Sequence, residues 1–147
     1  MTSFVCTIAS KSADNWPICR TTGLWGIPRS AQRHLLLPVQ GDRLLVWLAS
    51  VGFIAECLTV GPARIPNDGE VPWPGGVARY RQLIPIVIEY ETAQPVRLTF
   101  DRGINQVTGL RLYMLRSGLF DVPDDMAARM LELLRGRPAG IAPLPGG

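Results

Sequence analysis

The chain has 147 residues, 47% of them apolar, with a formal net charge of +3. That length fits one domain able to bury roughly 70% of its unfolded surface, which excludes a disordered chain. Fourteen arginines against one lysine, Lys11, carry the positive charge; guanidinium groups suit phosphates and bases, so the balance permits nucleic-acid binding without requiring it.

In chain order, Phe4–Ala9 is short, apolar and β-branched and predicts a first strand. Ser12 and Asp14 offer caps for a short helix around Ile18–Thr22, which Gly23 ends, with Leu24-Trp25-Gly26 as an apolar turn. Arg29–Gln40 reads as irregular. Arg43–Ala49 and Phe53–Val60 predict two strands joined by the Ser50–Gly52 turn; so short a link allows only antiparallel pairing. Gly61–Val77, rich in Pro and Gly, predicts a long loop. In Leu83–Glu91 the residues Ile84, Ile86, Ile88 and Tyr90 share one face and Glu89 and Glu91 the other, with Pro85 requiring an edge or a bulge. Pro95–Asp101 alternates too, with Val96, Leu98 and Phe100 inward; Asp101–Thr108 is a polar turn, and Leu110–Leu115 fits a strand or a helical turn. Val122-Pro123-Asp124-Asp125 predicts a helix start, Met126, Met130, Leu131 and Leu134 form its apolar stripe, and Arg135-Gly136 ends it. The domain spans 1–136, and 137–147 reads as a flexible Pro/Gly tail. The sum is an α+β domain: a small curved sheet or barrel of five to six strands with short flanking helices.

The motifs that are missing narrow the chemistry. Cys6, Cys19 and Cys57 form neither a metal motif nor a disulfide framework, which points to a reducing cytoplasm. The N-terminus lacks the basic start and long apolar stretch of a secretory leader, and no apolar run reaches the ~20 residues of a membrane span. No phosphate-binding glycine loop or nucleophile elbow appears, and His34 is the sole histidine, so no cofactor or metal is implied. The four tryptophans carry the information. Trp47, inside an apolar strand, reads as core. Trp73, held between Pro72 and Pro74, either plugs the core or covers a ligand.

Lys11-Ser12-Ala13-Asp14-Asn15-Trp16 followed by Gly23-Leu24-Trp25-Gly26 resembles the opening of YTH and EVE domains of the PUA-like superfamily. Gly41–Leu48 is similar to their central strand, Gly52–Cys57 to the strand that returns past a glycine, and Trp73 with Tyr80–Glu91 to their second aromatic and next strand. The ordered set covers about residues 4–120. The resemblance implies a PUA-like fold and a reader of a modified, for example methylated, base in DNA or RNA. By position, Trp25 and Trp73 would be cage walls, Asn15 a contact to the base edge, and Lys11 and Ser12 neighbours of the mouth. The Lys11–Trp25 spacing is shorter than in YTH domains, and Gly26 replaces a small hydroxyl residue, which favours the EVE side. Candidates for the basic rim are Arg79 and Arg81, which bracket Tyr80, then Arg29 and Arg33, and also Arg20 and Arg102.

Two other classes stay open. ASCH-type hydrolases of the same superfamily act on nucleosides with Lys, Thr and Glu; Lys11 and Glu56 would be the counterparts here, although their Gly-x-Lys-x-x-Glu-x-Arg pattern is absent. A protein-interaction module is the other. A pocket with two indoles and an amide would favour the reader, and a buried Lys11–Glu56 pair catalysis.

Overall fold

A computed structural model describes residues 1–30 and 36–144. Among them the chain forms β1 (Ser3–Ile8), a 3-10 turn (Ser10–Ser12), α1 (Asn15–Thr22), β2 (Leu24–Pro28), β3 (Arg43–Leu48), β4 (Gly52–Thr59), α2 (Gly76–Arg79), β5 (Tyr80–Val96), α3 (Leu112–Arg116), β6 (Leu119–Val122) and α4 (Asp124–Arg135). The six strands make one curled half-barrel sheet in the order β2-β5-β4-β3-β1-β6. This is the α+β, PUA-like architecture that the pattern and the resemblance implied.

The central hairpin is as expected: β3 and β4 pair antiparallel. Its turn needs Ser50 at φ 68° and Gly52 at φ 134°. A Cβ on Gly52 would lie 2.4 Å from the Val96 carbonyl oxygen. β1 instead pairs parallel to β3. That geometry needs a long crossover, and the crossover carries α1 and β2.

Trp25 lies on a strand and not in a turn, because Leu24–Pro28 pairs antiparallel with the first part of β5. α1 starts three residues earlier than Ile18, at Asn15, and neither Ser12 nor Asp14 caps it with its side chain. Gly23, left-handed at φ 67°, does end it, its N–H donating to the Cys19 carbonyl. β5 joins what the sequence divided in two. Residues 80–85 pair with β2, and from Ile86 onward the partner is β4. Pro85 stands at that changeover. The Ile86 N–H donates to the Gly23 carbonyl just before β2, while the Pro85 carbonyl accepts from the Val60 N–H, so the missing donor of Pro85 falls on the side where β4 has ended at Thr59. Leu98 and Phe100 follow as half-buried residues outside the strand. The Leu110–Leu115 ambiguity resolves as helix, in α3.

Alternating residues split the core between the two faces of the sheet. Phe4, Cys6, Leu44 and Val46 join Trp16, Trp25 and Trp73 on one face. Val5 and Leu45 face α4, whose Met126, Met130, Leu131 and Leu134 are buried as expected. Trp47 is only half-buried, edge-on to Phe53; the fully buried indole is Trp16.

A bulge in β5 changes which way its glutamates point. Glu56 pairs with Tyr90 but Cys57 with Ile88, leaving Glu89 extra. The extra residue reverses the alternation. Tyr90 therefore packs toward α4, and Glu91 turns inward beside Trp16. Its carboxylate accepts from Trp16 Nε1 at 3.0 Å, from Arg20 Nε at 2.9 Å and from the Ala142 N–H at 2.8 Å. The last contact bears on the tail. Residues 138–142 run along β5, with a Thr92–Ala139 bridge, the Gly140 N–H donating to the Glu91 carbonyl, and Ala142 buried. The packed chain thus extends beyond the boundary expected at 136.

Candidate base-binding pocket

On the Trp16 face a cavity of about 310 Å³ opens to the surface. Trp25, Trp73, Asn15 and Ser12 all line it, brought together from β2, the loop before α2, α1 and the 3-10 turn. Both indoles are nearly buried, at 5% and 4% exposure, so each is a pocket wall and part of the core at once.

Gly26 sets the place of Trp73. A Cβ there would lie 2.6 Å from the Trp73 six-membered ring and 2.7 Å from the Tyr80 ring. The absent side chain admits both rings against the β2 backbone. Trp73 and Tyr80 then pack with centroids 5.0 Å apart at 48°. The Trp73 indole N–H is buried without a nitrogen or oxygen acceptor among the described residues.

Tyr80 is the aromatic wall that the sequence reading missed; its one signal was its place between two arginines. Its hydroxyl accepts from Asn15 Nδ2 at 3.1 Å, leaving the amide oxygen of Asn15 uncommitted among the described residues. Burial, outweighing the neighbouring Arg79 and the Asn15 hydrogen bond, raises the Tyr80 phenol above its ordinary range. Burial likewise pushes the Cys19 thiol, also in the wall, up to about 12. The interior therefore offers neutral donors and acceptors between aromatic surfaces.

The charged groups sit at the mouth. Arg79, last residue of α2, lies 5.7 Å from the Tyr80 ring centroid and donates to Ser12 Oγ at 3.3 Å. Arg116, at the end of α3, lines the same cavity and was not anticipated. Other expected residues fall elsewhere. Lys11 is exposed on the 3-10 turn and is not a lining residue. Arg29 donates to the Val77 carbonyl at 2.7 Å, tying the end of β2 to α2. Arg81 is half-buried outside the pocket, its Nε without a partner among the described residues. Arg20 is bound to Glu91, and Arg102 is exposed on the turn after Asp101. Arg33 lies outside the described residues.

Lys11 and Glu56 do not meet. Glu56, opposite Leu45, lies on the α4 face, held by Arg43 at 3.2 Å and Arg135 at 2.7 Å.

No protein-family model matches the sequence, and no curated protein matches it. Solved structures do. The apo YTH domain of Toxoplasma CPSF4 superposes with a TM-score of 0.60 at 17% identity, covering 95% of this chain and 90% of that one. The fold is that of a YTH domain. The same Toxoplasma domain in complex with a 7-mer m6A-modified RNA gives a TM-score of 0.63 at 16% identity, over 99% and 98% of the two chains. A bacterial protein, Rpa0253 from Rhodopseudomonas palustris, shares the YTH-like fold with a TM-score of 0.60 at 15% identity, over 92% and 94%.

Proposed function

We propose that this chain is a non-catalytic reader that holds a single modified base of a nucleic acid in the Trp25–Trp73–Tyr80 pocket. The observation that carries the reading is the pocket itself: aromatic walls, an amide and a phenol inside, and arginines at the mouth. Its volume of about 310 Å³ lies at the lower end of ligand pockets, which run roughly 300–1,000 Å³, and suits one heterocycle. A base offers π faces to the rings and a polar edge to Asn15, whose amide both donates and accepts. A methyl group on the base adds apolar contact, on the order of 0.8 kcal/mol. The YTH fold in complex with an m6A-modified RNA supports the same reading. Three buried free thiols support a reducing compartment, the cytoplasm.

The hydrolase alternative needs Lys11 and Glu56 together, but Lys11 is exposed on the 3-10 turn and Glu56 is buried against Arg43 and Arg135.

The test is a binding screen by fluorescence anisotropy with nine-nucleotide RNA and DNA strands, unmodified or carrying N6-methyladenine or 5-methylcytosine. A modified strand should bind best. Trp25→Ala or Trp73→Ala, checked for folding by circular dichroism, should lose about 1–3 kcal/mol of binding, tenfold to hundredfold. Asn15→Ala should blur the choice of base more than it weakens binding. Equal binding of all strands, unaffected in folded tryptophan variants, would overturn the reading.

A further inference from the structure

We propose that Arg116, together with Arg79, grips backbone phosphates beside the bound base, so that the ligand is a base within a strand and not a free nucleoside. This rests on the base-pocket reading above. Among the described residues that line the cavity, only Arg79 and Arg116 carry a formal charge, and none is a carboxylate. Buried Glu56 and half-buried Glu91 hold other arginines, Arg43, Arg135 and Arg20, away from the mouth. Arg116 has no ion pair or side-chain hydrogen bond among the described residues, and Arg79 has only the neutral Ser12 hydroxyl and the Tyr80 face.

The two guanidinium groups come from separate elements, the ends of α2 and α3, and converge on one opening. Like charges left unneutralised beside a pocket with a neutral interior call for a ligand that is neutral inside and anionic outside. A nucleotide within a strand has that distribution; a nucleoside lacks the anion. Guanidinium also matches phosphate oxygens with two parallel donors.

The backbone beside Arg116 is held in place. The Gly118 carbonyl accepts from the Thr7 N–H of β1 at 2.8 Å, and Ser117 Oγ donates back to the Tyr113 carbonyl at 2.9 Å. Gly118 is left-handed at φ 81°, and a Cβ there would meet nothing within 4 Å among the described residues.

The test uses a nine-nucleotide strand with N6-methyladenine at its centre, in RNA and DNA forms. Versions carry one neutral methylphosphonate linkage, either 5′ or 3′ of that base. Each binds to the wild-type chain, Arg116→Ala and Arg79→Ala. One linkage should weaken wild-type binding about tenfold, the size of a charge-assisted hydrogen bond, and that same linkage should have little effect on Arg116→Ala. The free nucleoside should lose far less affinity than the strand does on Arg116→Ala. Additive losses from linkage and variant, or nucleoside binding equal to that of the strand, would overturn the phosphate grip while leaving a Trp25-dependent base pocket intact. Failure of every strand to bind would remove the base pocket and the grip together.

Discussion

Each face of the sheet turns a glutamate inward onto arginine, with different results. On the α4 face Glu56 holds Arg43 and Arg135. On the pocket face Glu91 holds Arg20 and the Trp16 indole, but Arg79 and Arg116 stay outside its reach at the mouth. One face closes its charges into a structural knot; the other keeps positive charge facing outward. An arginine-rich composition thus says little until each guanidinium is known to be neutralised or free.

Three experiments would break or sharpen that contrast. The largest effect is expected from removing the carboxylates. Glu56→Ala and Glu91→Ala should each destabilise the fold by about 3 kcal/mol, because each strips several donors of their acceptor at about 1–3 kcal/mol apiece, measured by urea unfolding. Only Glu91→Ala should also weaken binding of the folded protein, because Glu91 fixes α1, which carries Asn15. Burial tends to raise the Glu91 carboxyl, but hydrogen bonds from Arg20, Ala142 and Trp16 together hold it below its ordinary value. Its folded pKa being depressed, its contribution is full above the unfolded value and fades as pH falls through the folded one. Glu91→Gln should therefore flatten the acid limb of the stability profile below about pH 4.5; an unchanged limb would mean that the clamp is not electrostatic.

The middle effect belongs to Gly26→Ala. The new methyl must displace Trp73 or Tyr80, so binding should drop about tenfold, the lower end of losing one stacked face. Overpacking should remove a further 1–3 kcal/mol or so of stability. Wild-type affinity in this variant would show that the Trp73 position is not what the base senses. The smallest effect separates the rim arginines. Arg79→Ala should lower the salt slope of single-strand binding by about 0.7, one phosphate contact, and Arg81→Ala should leave it unchanged. The reverse result would move the rim to the outer side of β5.

What the sequence made legible was local. The β3–β4 hairpin and α4 follow from a short turn, a capping pattern and an apolar stripe within a dozen residues. β2 read as a turn because its partner, β5, lies more than fifty residues on. The alternation in Leu83–Glu91 was read correctly up to Ile88 and inverted after it, since a one-residue bulge leaves no mark in the hydrophobic pattern. In the pocket, Asn15, Ser12, Trp25 and Trp73 came from ordered motifs. Tyr80 looked like any strand aromatic, and Arg116 reaches the mouth only because β6 lies beside β1. Lys11 was carried along by its neighbours in the motif, although its side chain faces solvent.

The Glu91 clamp also sets a clock on synthesis. Trp16 and Arg20 emerge from the ribosome early, yet their acceptor lies more than seventy residues later, and that acceptor is itself tied to Ala142, fifty-one residues further on. At roughly 5–20 residues per second, α1 waits on the order of ten seconds for its last anchor. Its own eight residues are too few to hold a helix in water unaided. Until Ala142 is made, the nascent chain carries Trp16 and Arg20 without the anchor that fixes α1 beside the pocket.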